Sequence, residues 1–221
     1  MKRIIMLLIV PIVIFGNNLE NPDISFILNT GFGAYFDNNN GFSEKNAIKQ
    51  GGHAIDENGF GLQGVEFAAG GNVDPYFRYD MNVSLNHMHI EEVYLTSLAL
   101  PYNFKIRAGY FNAAFGRQNP QHLHIWNFVN PPLAHSLFMA EEHLRSNGFE
   151  VNYLIPFDFY SNLTFQIYDT KQKSNFVSKT FASNIEIDGV EDFLYVARNE
   201  NSFDFSKNTT WLFGLSGAFG Q

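Results

Sequence analysis

The stretch Tyr76–Asn86, YFRYDMNVSLN, decides the fold. Phe77, Tyr79, Met81, Val83 and Leu85 fall on one side of an extended chain, and Arg78, Asp80, Asn82, Ser84 and Asn86 fall on the other. Side chains alternate between the faces of a strand, so this strand carries one apolar face and one polar face. A water-soluble sandwich would turn the apolar face toward a core. Ten or so residues are also enough to cross a bilayer when tilted, and the flanking features favour that arrangement, with the apolar face on lipid and the polar face on a wet lumen. The expected fold is therefore all-β, an antiparallel transmembrane β-barrel, with passage of solutes as the expected role.

The N-terminus, MKRIIMLLIVPIVIFG, supports export. Lys2 and Arg3 form a basic start, Ile4 to Phe15 an apolar run of about a dozen residues, and Gly16 a small residue suited to cleavage. That run is too short for a stable membrane helix, so residues 1–16 read as a signal peptide and 17–221 as the exported barrel. The chain has no cysteine, which excludes lipoprotein anchoring, a disulfide framework and thiolate metal sites. A mean hydropathy of −0.14 suits a barrel, where only alternate residues meet lipid. The net charge of −8 becomes more negative once Lys2 and Arg3 are removed, which argues against nucleic acid as a partner.

Further alternating segments give about eight strands: 24–36, 59–70, 76–86, 90–98, 104–111, 147–154, 159–168 and 209–219. Long polar loops are expected near 37–58, 112–146 and 169–207, and tight turns after the second, fourth and sixth strands. The turn after the third strand, near His87–His89, is short on the long-loop side. Short turns on one end and long loops on the other are the habit of outer-membrane barrels. Tyr76, Phe77, Tyr102, Phe104, Phe157, Phe159 and Tyr160 border the short turns, where interfacial aromatic rings belong.

Three segments carry more than generic barrel features. They are GFGLQGVEFAAGGNVDPYF (Gly59–Phe77), LPYNFKIRAGYFNAAFGRQNPQHLHIWNFVNPPL (Leu100–Leu133) and Asn147-Gly148-Phe149-Glu150. In this order they resemble a family of Gram-negative outer-membrane proteins described as porin-like or as zinc-regulated outer-membrane receptors. The most specific part is the run His122, His124, Trp126, Phe128, Val129, Pro132 and Leu133. The resemblance implies a larger barrel, a bacterial outer-membrane location and a transport role linked to metal supply. Members are longer, and their barrels end on an aromatic residue, whereas this sequence ends Ala218-Phe219-Gly220-Gln221. The expectation is thus the N-terminal part of a larger barrel, with a small closed barrel of eight strands as the other option.

Arg78, Asp80, Asn82, Glu92, Lys105, Arg107, Glu150 and Asn152 fall on the polar faces and are the expected pore lining; the same residues could instead be salt bridges that fill a narrow barrel. The segment after the fifth strand is expected to be either an external loop or a constriction loop. In the second case His122, His124, Trp126 and Phe128 would lie within it, and the Pro131-Pro132 pair would stiffen it. The pairs His122/His124 and His87/His89 are candidate metal ligands, because imidazole binds zinc and copper and residues two apart on a strand share a face. A pair alone is not a zinc site, so Glu91, Asp56 or His53 would have to complete one. No cofactor is expected beyond zinc as a bound or transported ion.

Three other readings compete. A hydrolase would use His143 and Ser146, but residues three apart on a strand face opposite sides, and no nucleophile elbow or nucleotide loop occurs elsewhere. An energised receptor would need a plug domain before the first strand. A barrel with adhesin-like loops would bind outside partners without conducting. The favoured reading is a non-enzymatic, passive outer-membrane channel for small solutes or ions, with lipid around it and a homo-oligomer as one expected assembly.

Overall fold

The computed structural model describes residues 22–34, 58–129, 132, 134–135, 139, 143–169 and 192–220. The signal-peptide segment, most of the expected loop at 37–58, and His53 and Asp56 lie outside them.

The alternating segments build one antiparallel sheet of nine strands in sequence order. These are β1 (Asp23–Gly33), β2 (Gly59–Asn72), β3 (Phe77–Ser84), β4 (His89–Ser97), β5 (Phe104–Asn112), β6 (Arg145–Leu154), β7 (Tyr160–Tyr168), β8 (Leu194–Ser206) and β9 (Thr209–Phe219). Eight strands were expected. The added one, β8, falls inside the expected loop at 169–207. Its polar run Arg198-Asn199-Glu200-Asn201 hides the alternation, since Asn199 and Asn201 take the face that is apolar elsewhere in the sheet. With β8 in place, the hairpin turns after β2, β4, β6 and β8 are all short, the last being only Lys207-Asn208. Two of these turns have legible chemistry. The Asp74 carboxylate accepts the N–H groups of Tyr76 and Phe77. Tyr102 and Asn103 both have positive φ, as the two central residues of a type I′ hairpin turn require.

Away from Asn199 and Asn201 on β8, the outward face is largely apolar. On β1, Phe26 and Leu28 are 64% and 60% exposed; on β9, Phe213 and Leu215 are 55% and 66% exposed. The inward face carries the charges, and strand register stacks them into rows. Arg107 on β5 lies opposite Glu150 on β6, which lies opposite Gln166 on β7. Arg107 and Gln166 both donate to Glu150 Oε2. One row over, Thr164 and Asn162 donate to Asn152 Oδ1.

The small apolar core also lies on the inward side, where Phe111, Ala113, Leu144, Tyr168 and Val196 are all at or below 5% exposure. The Arg107 guanidinium stacks over the rings of Tyr94 and Phe111, at 4.8 and 4.2 Å from their centroids. Gly109, opposite Tyr94, has φ +143°, and a Cβ there would lie 2.3 Å from the Val93 carbonyl oxygen. Only glycine fits this close strand contact.

Among the described residues the sheet is open, with β1 and β9 as its edges. The small closed barrel is therefore not formed. An antiparallel meander of nine strands leaves β1 and β9 running in the same direction, so closing it would need a parallel pair. Single-chain bacterial barrels avoid this by using even strand numbers.

Candidate functional site

The loop after β5 turns back over the inward face. Its two ends are joined by Asn119, 1% exposed, whose Nδ2 donates to the carbonyls of Ala113 and Leu144 and whose Oδ1 accepts the Leu144 N–H. Between these ends the loop reaches strands on both sides of the sheet. Toward β7 and β9, the Ala114 N–H donates to Gln166 Oε1 and the Gly116 N–H to Ser216 Oγ, each at 2.8 Å. Toward β2, Gln63 Nε2 donates to the Val129 carbonyl at 3.0 Å, and His124 Nδ1 lies 3.0 Å from Glu66 Oε2. The loop thus bridges strands near the two edges across the concave polar face.

The most concentrated contacts lie under a single 3-10 turn, Leu123–Ile125. Just before it, His122 Nδ1 is 3.2 Å from Glu91 Oε2, and Nε2 is 2.7 Å from Glu92 Oε2. Two consecutive glutamates can meet one ring because β4 bulges here. Asn82 pairs with Glu92 and Val83 with Ile90, which leaves Glu91 as the extra residue. The bulge puts Glu91 and Glu92 on the same side, both 5% exposed. Glu66, on β2, is 3% exposed and completes a group of three buried carboxylates. One ligand atom each from Glu66, Glu91 and His122 lies within 4.8 Å of the others. Leu123, 7% exposed, packs the turn down beside them.

Burial alone would push the His122 imidazole down. Hydrogen bonds to Glu91 and Glu92 outweigh that and raise its pKa to about 10, which favours an imidazolium donating to both carboxylates. His143, at the far end of the loop, goes the other way. Burial, helped by the charges of Arg145 and His122, lowers it to about 3, and its Nε2–H donates to the Gln121 carbonyl.

Six of the expected lining residues, Arg78, Asp80, Lys105, Arg107, Glu150 and Asn152, border one open cavity of about 720 Å³ on the inward face. Asn82 borders a neighbouring cavity, and Glu92 is covered by the loop, held by His122 and the Asn112 N–H. His122 and His124 are brought together with Glu66 and Glu91; of the proposed completing residues, only Glu91 lies among those described. His87 and His89, in and beside the β3–β4 turn, are not part of that group. Trp126 sits within the loop, donating to the Gln121 carbonyl. Phe128 lies in the same loop and is 73% exposed, while polar anchors at Asn119 and His122 hold the loop to the sheet. His143 and Ser146 each serve a different carbonyl, Gln121 and Asp169. Asn119 and the Glu66–His124 contact were not foreseen, although the HxH spacing marked His124 itself.

No protein-family model matches the chain, and no solved structure matches it. It is 33% identical over 223 residues to an uncharacterized protein of Aquifex aeolicus (strain VF5), covering 94% of this chain and 46% of that protein. The chain thus spans about half the length of the curated relative it matches.

Proposed function

We propose that this sheet is part of the wall of an outer-membrane β-barrel that passes small hydrophilic solutes or ions passively, with the loop of residues 113–129 narrowing the passage. One observation carries the reading. Across the sheet, large apolar side chains face outward and charged ones face an open inward cavity crossed by a loop. Monomeric soluble proteins rarely expose so extended an apolar surface, whereas lipid-facing strands require one. The short-turn rim supports the same reading. Phe104 packs on Tyr153, Phe157 on Phe159, Phe159 on Phe203, and Phe205 on Trp211, a row of rings suited to a membrane interface. In this reading the two open edges are paired within the bilayer, because lipid satisfies no backbone N–H or carbonyl. The resemblance to porin-like proteins and the metal-linked transport role it implies belong to this proposal.

Planar-bilayer recordings of the full-length protein test it. Discrete open steps that grow when residues 116–128 are replaced by a short Gly-Ser linker are expected. A silent bilayer with correctly inserted protein would leave a barrel whose loops bind partners outside and would end the channel reading.

A further inference from the structure

We propose that Glu66, Glu91 and His122 bind one divalent transition-metal ion that fastens the loop to the sheet. Three separate elements, β2, the β4 bulge and the loop, bring one ligand atom each to within 4.8 Å of the others. Small side-chain rotations close that span to the separation of ligands sharing one ion, given bonds of about 2.0–2.2 Å.

Charge is the stronger argument. Glu66, Glu91 and Glu92 are all at least nine-tenths buried. Among the described residues, the loop side chains that hydrogen-bond to them are two imidazoles, and Arg145 acts on Glu91 electrostatically. A neutral imidazole has one N–H, yet both His122 nitrogens face carboxylate oxygens. The site is thus built for a positive centre at this point: a proton in its absence, or a metal ion in place of that proton.

The donor set of one imidazole nitrogen with carboxylate oxygens favours zinc, manganese or iron over magnesium and calcium, which prefer oxygen alone. The surrounding groups are placed to orient such ligands: His124 on Glu66, and on His122 Nε2 the carboxylate of Glu92, itself held by the Asn112 N–H. The binding claim stands independently of the channel reading; only the consequence, a locked constriction, rests on it.

Titration calorimetry of the full-length protein in detergent with zinc chloride and manganese chloride tests the site, with magnesium chloride as the control. One transition-metal ion per chain is expected, with affinity falling at least ~10-fold in Glu91→Gln and in His122→Gln and unchanged in His87→Ala/His89→Ala. No heat with either transition metal, or equal affinity in all variants, would overturn it. Because the substitutions could disturb folding, X-ray absorption of the zinc-loaded wild type gives a second readout. One imidazole nitrogen among oxygen neighbours supports the site; an all-oxygen shell overturns it. Ion binding by a protein that is silent in bilayers would keep the site and remove the channel, and open steps with no bound ion would do the reverse.

Discussion

Glu91 and Glu92 follow one another along β4 and still turn their carboxylates to the same imidazole, 3.2 and 2.7 Å from the two ring nitrogens of His122. In a regular strand they would face opposite sides. The bulge at Glu91 cancels that alternation once and makes a two-carboxylate clasp for the loop. Such a device specifies where the loop docks more than it adds net stability, because burying the charges offsets much of their attraction.

It follows that breaking the clasp is costly. In His122→Ala, Glu91 and Glu92 remain buried without their cation. Leaving a buried charge uncompensated costs about 3–5 kcal/mol. The expected result is undocking of the loop while the sheet persists. Hydrogen exchange should report faster exchange at Ile125 and Trp126, whose N–H groups bond within the 3-10 turn, and unchanged exchange in β6 and β7. Wild-type protection at Ile125 in the variant would show that the clasp does not hold the loop.

The Arg107–Glu150 pair offers a test within the wall. Arg107 is stacked on Tyr94 and Phe111 as well as ion-paired, so Arg107→Ala removes packing and leaves Glu150 with Gln166 and Asn152 as its donors. A loss of about 3–5 kcal/mol is expected from the unpaired buried charge. The double variant Arg107→Ala/Glu150→Gln should recover part of it, giving a coupling energy of about 1–3 kcal/mol in a double-mutant cycle. Strict additivity in denaturant unfolding would mean that the two side chains act independently.

The outward face separates lipid from water directly. Leu163 and Phe165 on β7 are each 45% exposed and face away from the cavity. In water an arginine at such a position costs within about 0.5 kcal/mol. Near a bilayer midplane it costs about 2–4 kcal/mol. Phe165→Arg, at mid-strand, should therefore lower folding stability in phospholipid vesicles by the larger amount. A change of less than about 0.5 kcal/mol would place this face in solvent.

The strands were legible where apolar and polar residues alternate cleanly, as in Tyr76–Asn86, and β8 was missed where Asn199 and Asn201 break that pattern. The inward row of charges could be read from parity alone, and six of its eight expected members border one cavity. The clasp could not be read. Its central feature is a bulge, which parity does not foresee, and it joins residues about thirty positions apart through a loop with no periodicity of its own. The HxH spacing pointed to His122 and His124 for a different reason from the one that brings them to the sheet: His122 caps a 3-10 turn and His124 lies within it, and neither sits on a strand face. Asn119 carried no signal beyond preceding a proline, yet it ties both ends of the loop.

Loop docking should also weaken in acid, through His143. Burial, with Arg145 and His122 nearby, lowers this group from an ordinary value of 6.5 to about 3 in the docked state. The surrounding groups are Trp126 at 6.1 Å, His135 at 5.9 Å and the Gln121 carbonyl; His135 is itself lowered by burial. Because the docked pKa is depressed, the undocked loop takes up a proton that the docked loop refuses. The His143 contribution to docking is therefore fully present above about pH 6.5 and is lost as pH falls from there toward 3, by up to about 1.4 kcal/mol per unit. His122 acts in the opposite sense: its contribution is present below about pH 6.5, where docked and undocked imidazoles are both protonated, and is lost only as pH rises from there toward 10, so it adds little slope in the acid window. Trp126 reports the event, since it packs on His143, and Trp211→Phe removes the other tryptophan of the chain. Metal-free protein carrying that substitution should show Trp126 emission shifting to longer wavelength between pH 6.5 and 4.5. Adding His143→Gln should flatten the response. A shift that persists unchanged in the His143→Gln protein would assign the acid sensitivity to another group and remove His143 from the account.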